Sequence, residues 1–127
     1  MGVALLATVI ALGTPAPASA DLTVTYWPQG RERGTRARWT LRCEPTGGTL
    51  PRAAAACARL ATMKAPFRPI PKDAICTEIY GGPQEAIVAG RYAGKRIWVK
   101  LARRNGCEIS RFNRLRFLVL SYTEGQP

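Results

Sequence analysis

Four cysteines place the strongest constraint on how this chain can fold; they are Cys43, Cys57, Cys76 and Cys107. An even number of cysteines in a short chain that carries an export signal is typical of a disulfide framework, which stabilises a domain with a small core. Four cysteines allow three different pairings. The alternative is a zinc site with four thiolate ligands, but the chain has no Cys-x-x-Cys pair, and export favours oxidation. We therefore predict two disulfides and no metal.

The export signal is the N-terminal segment of residues 1–20. It contains no charged side chain, is mostly apolar from Met1 to Leu12, and ends in the Ala-x-Ala pattern Ala18-Ser19-Ala20. A membrane span is the alternative, but the apolar run is shorter than the ~20 residues that cross a bilayer. We therefore expect a signal peptide of residues 1–20, a single mature domain of residues 21–127, secretion to the extracellular space, and no membrane attachment of the mature protein.

The mature domain is strongly basic, because the signal carries no charges and the chain has a net charge of +11. A charge of this size attracts acidic partners without specificity. However, the lysines and arginines are spread along the chain and alternate with apolar residues, as they would on the outer face of strands. This pattern favours a solvated surface over a nucleic-acid partner, which we do not expect.

The residue types exclude most enzyme classes. The chain has no histidine, which is the usual general base of serine and cysteine hydrolases and the commonest metal ligand. The glutamates are spread singly, and no Gly-rich phosphate loop precedes a helix. We therefore expect a binding protein with no cofactor, not an enzyme.

Alternating or β-rich segments predict five strands. Residues 22–27 and 35–44 are two of them, and residues 86–102 form two more around a turn at Ala93-Gly94, where Gly94 can adopt the positive φ of a tight hairpin. Asn105-Gly106 reads as another turn, and residues 111–120 as a last strand. The expected fold is a single α+β domain with a five-stranded antiparallel sheet.

A helix is predicted after the second strand, in residues 49–63. Thr49 can cap it, Pro51 fits the first turn, and the alanines that follow favour helix. Cys57 falls on the buried stripe of this helix and can bond to Cys43 at the end of the preceding strand, which would close the shortest loop. Residues 64–74 contain three prolines and read as an extended arm that leads to Cys76.

Three segments together resemble the Streptomyces subtilisin inhibitor-like family. They are CEPTGGTLPRAAAACARL (43–60), ICTEIYGG (75–82) and AGRYAGKRIWVKLARRNGCE (89–108), and the resemblance extends from about Leu22 to Phe117. It implies the disulfides Cys43–Cys57 and Cys76–Cys107, a five-stranded antiparallel sheet covered by one or two helices, and a homodimer formed through the sheet. It also implies inhibition of extracellular serine proteases, mainly subtilisin-like ones.

The resemblance also implies the inhibitory site. In the family the scissile bond follows the second residue after the third cysteine, which is Glu78–Ile79 in this chain. The binding loop would comprise Ala74, Ile75, Cys76 and Thr77 on the acyl side, with Tyr80 after Ile79 on the leaving side. Asn105 matches a family asparagine that supports the loop from behind.

Physical chemistry agrees with a loop at this position. An inhibitory loop enters a protease cleft as an extended strand, and rigidity lowers the entropic cost of its binding. Cys76 tethers the chain two residues before the proposed bond, and the β-branched Thr77 and Ile79 stiffen the backbone. The alternative is that residues 75–80 form an edge strand whose cysteine bridges to a neighbour.

Glu78 departs from the family pattern, in which the residue before the scissile bond is commonly methionine or lysine. A carboxylate in an apolar pocket costs several kcal/mol, so we expect either a glutamate-specific target or weak inhibition of subtilisins. A second function of a different class is a secreted cationic protein that binds anionic polymers or surfaces. Its candidate residues are Arg103, Arg104, Arg111, Arg114 and Arg116.

Overall fold

A computed structural model describes residue 2 and residues 18–119. This part of the chain contains four strands and three helices in one α+β domain, which confirms the predicted fold class. The elements in chain order are β1 (Ala20–Trp27), β2 (Ala37–Cys43), α1 (Ala53–Thr62), β3 (Glu85–Tyr92), β4 (Lys95–Leu101), α2 (Gly106–Arg114) and α3 (Arg116–Val119).

The sheet is antiparallel, with the strand order β2-β1-β3-β4. β1 is therefore a central strand, and Val24 in its middle lies opposite Trp39 of β2 and Val88 of β3. Alternate residues of β1 are buried, since the side chains of Leu22, Val24 and Tyr26 all point to the same face. The alternation of apolar and polar residues that predicts β1 therefore also determines which face of the sheet packs against the core.

The core lies between one face of the sheet and the three helices. α1 contributes Cys57 and Leu60, α2 contributes Phe112, and α3 contributes Leu118 to this cluster. Burying a side chain of this size stabilises the fold by roughly 1.5–3 kcal/mol. The opposite face of the sheet carries no helix of the described chain, and it is called the outer sheet face below.

The β3–β4 hairpin turns at Ala93-Gly94, as predicted. Both residues have positive φ angles, 50° for Ala93 and 80° for Gly94. Paired positive φ angles match the right-handed twist of the strands that a two-residue turn must join.

The predicted fifth strand, residues 111–120, is wrong, and the sheet of the described residues has four strands. Residues 111–114 belong to α2 and residues 116–119 form α3, with Leu115 in the turn between them. The buried positions are Phe112, Leu115, Leu118 and Val119, which recur at helical spacing and not at every second residue. The segment contains enough apolar residues to be mistaken for a strand. Packing against the sheet determines which of these residues are buried.

Two local predictions near the helix ends also need correction. Thr49 does not cap α1: its hydroxyl accepts a hydrogen bond from the Thr40 amide at 2.9 Å, and its own amide donates to the Thr40 hydroxyl at 3.2 Å. α1 begins at Ala53, and Arg52 at its N-cap forms no side-chain capping bond. Asn105-Gly106, predicted as a turn, is the start of α2.

The disulfides are Cys43–Cys57 and Cys76–Cys107. The first ties the end of β2 to α1, and the second ties the 74–80 segment to the first turn of α2. All four cysteines are consumed, so the zinc alternative does not hold.

The predicted signal peptide lies outside the described residues except for residues 2 and 18–20, and so does the C-terminal tail after Val119. Ala20 opens β1 and is buried. In the part of the chain that the structure describes, no helix is long and apolar enough to cross a membrane.

Candidate functional site

The segment from Ala74 to Tyr80 is an exposed loop that belongs to no helix or strand. Every residue in it is exposed except Cys76, which is half-buried. Ile75 is 99% exposed and Tyr80 68%, although both are large apolar side chains. The alternative of an edge strand is therefore wrong, and the segment places large apolar side chains at the surface, a feature common at contact sites.

The acyl side of the loop is fixed at two adjacent residues. Cys76 is bonded to Cys107 in the first turn of α2, and the Thr77 carbonyl accepts a hydrogen bond from the Gly106 amide at 2.9 Å. The approach is so close that a β-carbon at position 106 would overlap the Thr77 hydroxyl. Glycine at this position therefore allows the start of α2 to lie directly against the loop.

The leaving side of the loop is fixed at Gly81 by Arg103. The Gly81 amide donates to the Arg103 carbonyl at 2.7 Å, and the Arg103 Nε donates back to the Gly81 carbonyl at 3.0 Å. The Arg103 guanidinium also donates to the Asn113 side chain at 2.8 Å and lies over the Phe112 ring, 5.0 Å from its centroid. Arg103 thus connects both polar groups of the Gly81 backbone to α2.

These contacts lie on both sides of the Glu78–Ile79 bond. Thr77 immediately precedes Glu78, and Gly81 is the second residue after Ile79. Within residues 18–119, the Glu78 carboxylate makes no hydrogen bond or ion pair with another side chain, and it points to solvent. Glu78 is therefore an unpaired carboxylate, and the backbone is held in place at residues before it and after it.

Asn105, predicted to support the loop, acts through the start of α2. Its side-chain oxygen accepts a hydrogen bond from the Glu108 amide at 3.0 Å, so it is the N-cap of the helix that carries Gly106 and Cys107. Within the described residues, the Asn105 side chain forms no hydrogen bond with residues 74–80. Asn105 therefore caps the helix turn that contains Gly106 and Cys107, the two residues bonded to the loop.

Glu108 forms further hydrogen bonds at the start of α2. Its carboxylate accepts from the Arg104 amide at 3.0 Å and from the Arg104 guanidinium at 2.8 and 3.1 Å. The hydrogen bond from the Arg104 side chain is the main cause of a lowered pKa of Glu108. An asparagine followed three residues later by a glutamate is a known signal of a helix start, and it would have identified this feature in the sequence.

Sequence reasoning missed two of the residues that hold the loop. The sequence predicts Gly106 as a turn residue and Arg103 as one of the cations of a polyanion site. No local pattern marks Arg103 as a contact of Gly81, because the two residues are 22 positions apart and meet only in the folded chain.

The five arginines proposed for a polyanion site do not form one free patch. Arg103 holds Gly81, and Arg104 is paired with Glu108. Arg111 is half-buried, its guanidinium reaches the Phe67 carbonyl at 3.5 Å, and burial lowers its pKa. The other two, Arg114 and Arg116, are exposed on α2 and α3.

Comparison with known proteins identifies the family of the chain. The family model described as subtilisin inhibitor-like matches residues 16–105, which span β1 to β4, the 74–80 loop and three of the four cysteines. No curated protein sequence matches the chain. Because the matched region covers most of the chain and includes the loop, the chain belongs to the subtilisin inhibitor-like family.

Proposed function

We propose that the protein is a secreted, non-enzymatic inhibitor of extracellular serine proteases, and that the 74–80 loop is its inhibitory segment with Glu78–Ile79 as the scissile bond. The observation that carries this proposal is an exposed loop whose backbone is held at Cys76 and Thr77 on one side and at Gly81 on the other. Family membership supports a protease as the partner.

The rigid loop accounts for both binding and resistance to digestion. A segment that is already extended and fixed loses little conformational entropy when it pairs with the edges of a protease cleft. If the protease cuts the bond, the new amine of Ile79 stays next to the acyl group, because residues on both sides remain attached to α2. Re-ligation then competes with release, since proximity replaces a bimolecular encounter.

The Cys76–Cys107 disulfide also stabilises the domain as a whole. It closes a loop of 31 residues. Closing a loop of that length is worth roughly 3.5 kcal/mol in the chain-entropy model. The bond therefore contributes to global stability while it holds the acyl side of the loop in place.

Glu78 determines which proteases fit. An exposed carboxylate at this position would enter the main specificity pocket of the enzyme, and transfer into an apolar pocket without a partner costs several kcal/mol. We therefore propose a target whose pocket supplies cationic or hydrogen-bonding groups for a glutamate, with weaker inhibition of subtilisins whose pockets are apolar.

A homodimer formed through the outer sheet face is a further part of the proposal and comes from the family resemblance. This face is free of helices in the described chain and has small residues at its centre, such as Thr23 and Ala89, so a second sheet could stack on it. Its rim is basic, with Arg42, Arg91 and Arg96 in one row across the strands.

The proposal is tested by titrating the oxidised protein against a subtilisin and against a glutamate-specific serine protease. We expect stoichiometric inhibition of the glutamate-specific enzyme, and mass spectrometry should show slow cleavage between Glu78 and Ile79. Digestion at many sites at the rate of an unfolded substrate, with neither enzyme inhibited, would contradict the proposed function.

A further inference from the structure

A pocket lies between α2 and the arm of residues 64–74 that leads into the 74–80 loop. Its volume is about 500 Å³, which is within the range of small-ligand sites. The apolar residues Pro69, Ile70 and Pro71 line it on the side of the arm, and Ser110 lines it on the side of α2. The two walls therefore differ in chemistry, with an apolar arm facing a polar helix.

Three arginines line this pocket, Arg68 from the arm and Arg111 and Arg114 from α2. Positions 111 and 114 are three residues apart, so their side chains lie on the same face of the helix. None of the three takes part in either ion pair found within residues 18–119, and no aspartate or glutamate lines the pocket. The pocket thus carries a positive charge that the described residues do not neutralise.

Arg111 has the fewest partners for its degree of burial. A guanidinium has five N–H donors, and within the described residues this one makes a single long hydrogen bond, from Nη2 to the Phe67 carbonyl at 3.5 Å. Its Nε is buried and has no partner in that part of the chain. Burial and, to a smaller extent, the charge of Arg114 lower the pKa of Arg111, whereas the opposing carboxylate of Glu108 is already bonded to Arg104. A charged group in these surroundings is stabilised by an anion.

We propose that this pocket binds a small ligand through a phosphate or sulfate group, held between Arg68 on the arm and Arg111 and Arg114 on α2. The oxygens of such a group point in several directions, so it accepts hydrogen bonds from guanidinium groups on opposite walls. The Ser110 hydroxyl supplies a further donor. The inference goes beyond the proposed inhibitor function and does not rest on it, because binding needs no protease.

The arrangement of the cations selects a compact anion over other ligands. A nucleic acid or a sulfated polysaccharide is bound along an extended series of free cations. Such a series is interrupted here, since Arg103 and Arg104 at the start of α2 are engaged within the domain. A carboxylate places its two oxygens in one plane and matches a single guanidinium. A phosphate or sulfate group uses all three arginines of the pocket.

The experiment is isothermal titration calorimetry of the oxidised full chain with sodium phosphate, in which sodium chloride holds the ionic strength constant. At about pH 8 phosphate carries nearly two negative charges. We expect one saturable site per chain, and amide NMR shifts at Ser110 and at the other residues that line the pocket. Sodium acetate should bind at least tenfold more weakly, because it engages fewer of the arginines.

Phenyl phosphate is the second probe and distinguishes the two sources of the anion. Binding tighter than that of inorganic phosphate indicates that the ligand is an ester whose organic group contacts the apolar arm. Binding no tighter than that of inorganic phosphate indicates the free ion.

Arg68→Gln with Arg114→Gln removes two exposed cations of the pocket and should weaken phosphate binding at least tenfold, since hydrogen bonds between charged groups are the strong ones. The matched control is Arg33→Gln with Arg36→Gln, which removes the same charge from exposed positions between β1 and β2. This control should bind phosphate about as tightly as the unchanged protein.

Arg111→Lys keeps the charge but loses the planar fork of donors, so it should weaken binding several-fold. Circular dichroism and intact disulfides verify that each variant is folded. The inference is overturned if phosphate gives neither a saturable heat nor shifts in the pocket, if both double variants lose affinity equally, if acetate binds as tightly as phosphate, or if folded Arg111→Lys binds like the unchanged protein.

Discussion

At the scale of single residues, the proposed function makes Glu78 the side chain that selects the target protease. Replacing Glu78 with Met should strengthen binding to a subtilisin by one or more tenfold steps, because it removes the cost of placing a carboxylate in an apolar pocket. The same change should weaken binding to a glutamate-specific protease. Inhibition constants of both enzymes measure the two effects.

Glu32→Met is the control for this substitution, because Glu32 is an exposed glutamate outside the 74–80 loop. It should leave both inhibition constants unchanged. If variants with Glu, Met and Lys at position 78 inhibit a panel of serine proteases equally, the assignment of the scissile bond is wrong.

Glu108 is a second residue with a measurable effect, in this case on stability. Hydrogen bonding from Arg104 lowers the pKa of Glu108 below its ordinary value of 4.5. The stabilisation is therefore fully present above the pKa of the unfolded chain and is lost as the pH falls through the lower pKa of the folded protein. Glu108→Gln should cost about 1 kcal/mol near pH 7, since Arg104 is mostly exposed, and much less near pH 2.

Denaturant unfolding of the oxidised protein and of Glu108→Gln at the two pH values checks this prediction. Glu32→Gln provides the control, since Glu32 has no ion pair among the described residues. A stability difference that persists unchanged at pH 2 would show that the Glu108 contribution does not come from its charge.

At the scale of elements, the start of α2 and the end of β4 hold the loop. α2 is the helix whose cap, first residue and cysteine all act on one side of the Glu78–Ile79 bond, through Asn105, Gly106 and Cys107. Arg103, between β4 and α2, holds the other side. A misplaced start of α2 would therefore displace the acyl side of the loop, and a change at Arg103 would loosen the leaving side.

Arg103→Ala tests the leaving side. The variant loses the Nε–Gly81 hydrogen bond while the backbone bond between the Gly81 amide and residue 103 remains. A hydrogen bond from a charged donor contributes ~1.5–3 kcal/mol, so we expect release of the cleaved product to become roughly ten- to a hundredfold faster. Mass spectrometry of the fraction cut at Glu78–Ile79, followed over time with a catalytic amount of protease, measures this.

Arg96→Ala on the outer sheet face removes the same charge and should not change the rate of cleavage. Arg103→Lys should restore part of the protection, because a lysine keeps the cationic donor. Cleavage of Arg103→Ala at the unchanged rate, in a protein of unchanged fold, would show that the backbone bond and the disulfide suffice.

At the scale of the whole molecule, the charge on the outer sheet face governs the proposed homodimer. Stacking two such faces brings eight arginines together, which are Arg38, Arg42, Arg91 and Arg96 of each copy, and none of these takes part in an ion pair among residues 18–119. Salt reduces their repulsion because the Debye length falls from ~10 Å at 0.1 M to ~3 Å at 1 M. We therefore expect the dimer to tighten with salt, by at least tenfold between 20 mM and 1 M sodium chloride. Analytical ultracentrifugation at both salt concentrations measures the dissociation constant.

The double variant with Arg91→Ala and Arg96→Ala should form the dimer at low salt. The double variant with Arg114→Ala and Arg116→Ala should not. A dimer that dissociates as salt is raised would contradict stacking through this face.

Much of this organisation could be predicted from local sequence. Alternation predicted β1 and β2, and the Ala-Gly pair predicted the β3–β4 turn, since each signal acts over a few residues. Residues 111–119 were misread because their side chains alternate loosely between apolar and basic. Only the spacing in sequence of the buried residues Phe112, Leu115 and Leu118 shows that the segment is helical.

The sequence by itself determined the four strands β1 to β4 and the number of cysteines, because these are properties of neighbouring residues, whereas it misassigned residues 111–119 to a fifth strand. Tertiary structure alone decided what holds the loop and what the sheet exposes. Arg103 meets Gly81, and Arg42, Arg91 and Arg96 meet across one face, because β-pairing brings distant residues side by side. Such contacts depend on strand order and register, which no local pattern in the chain encodes.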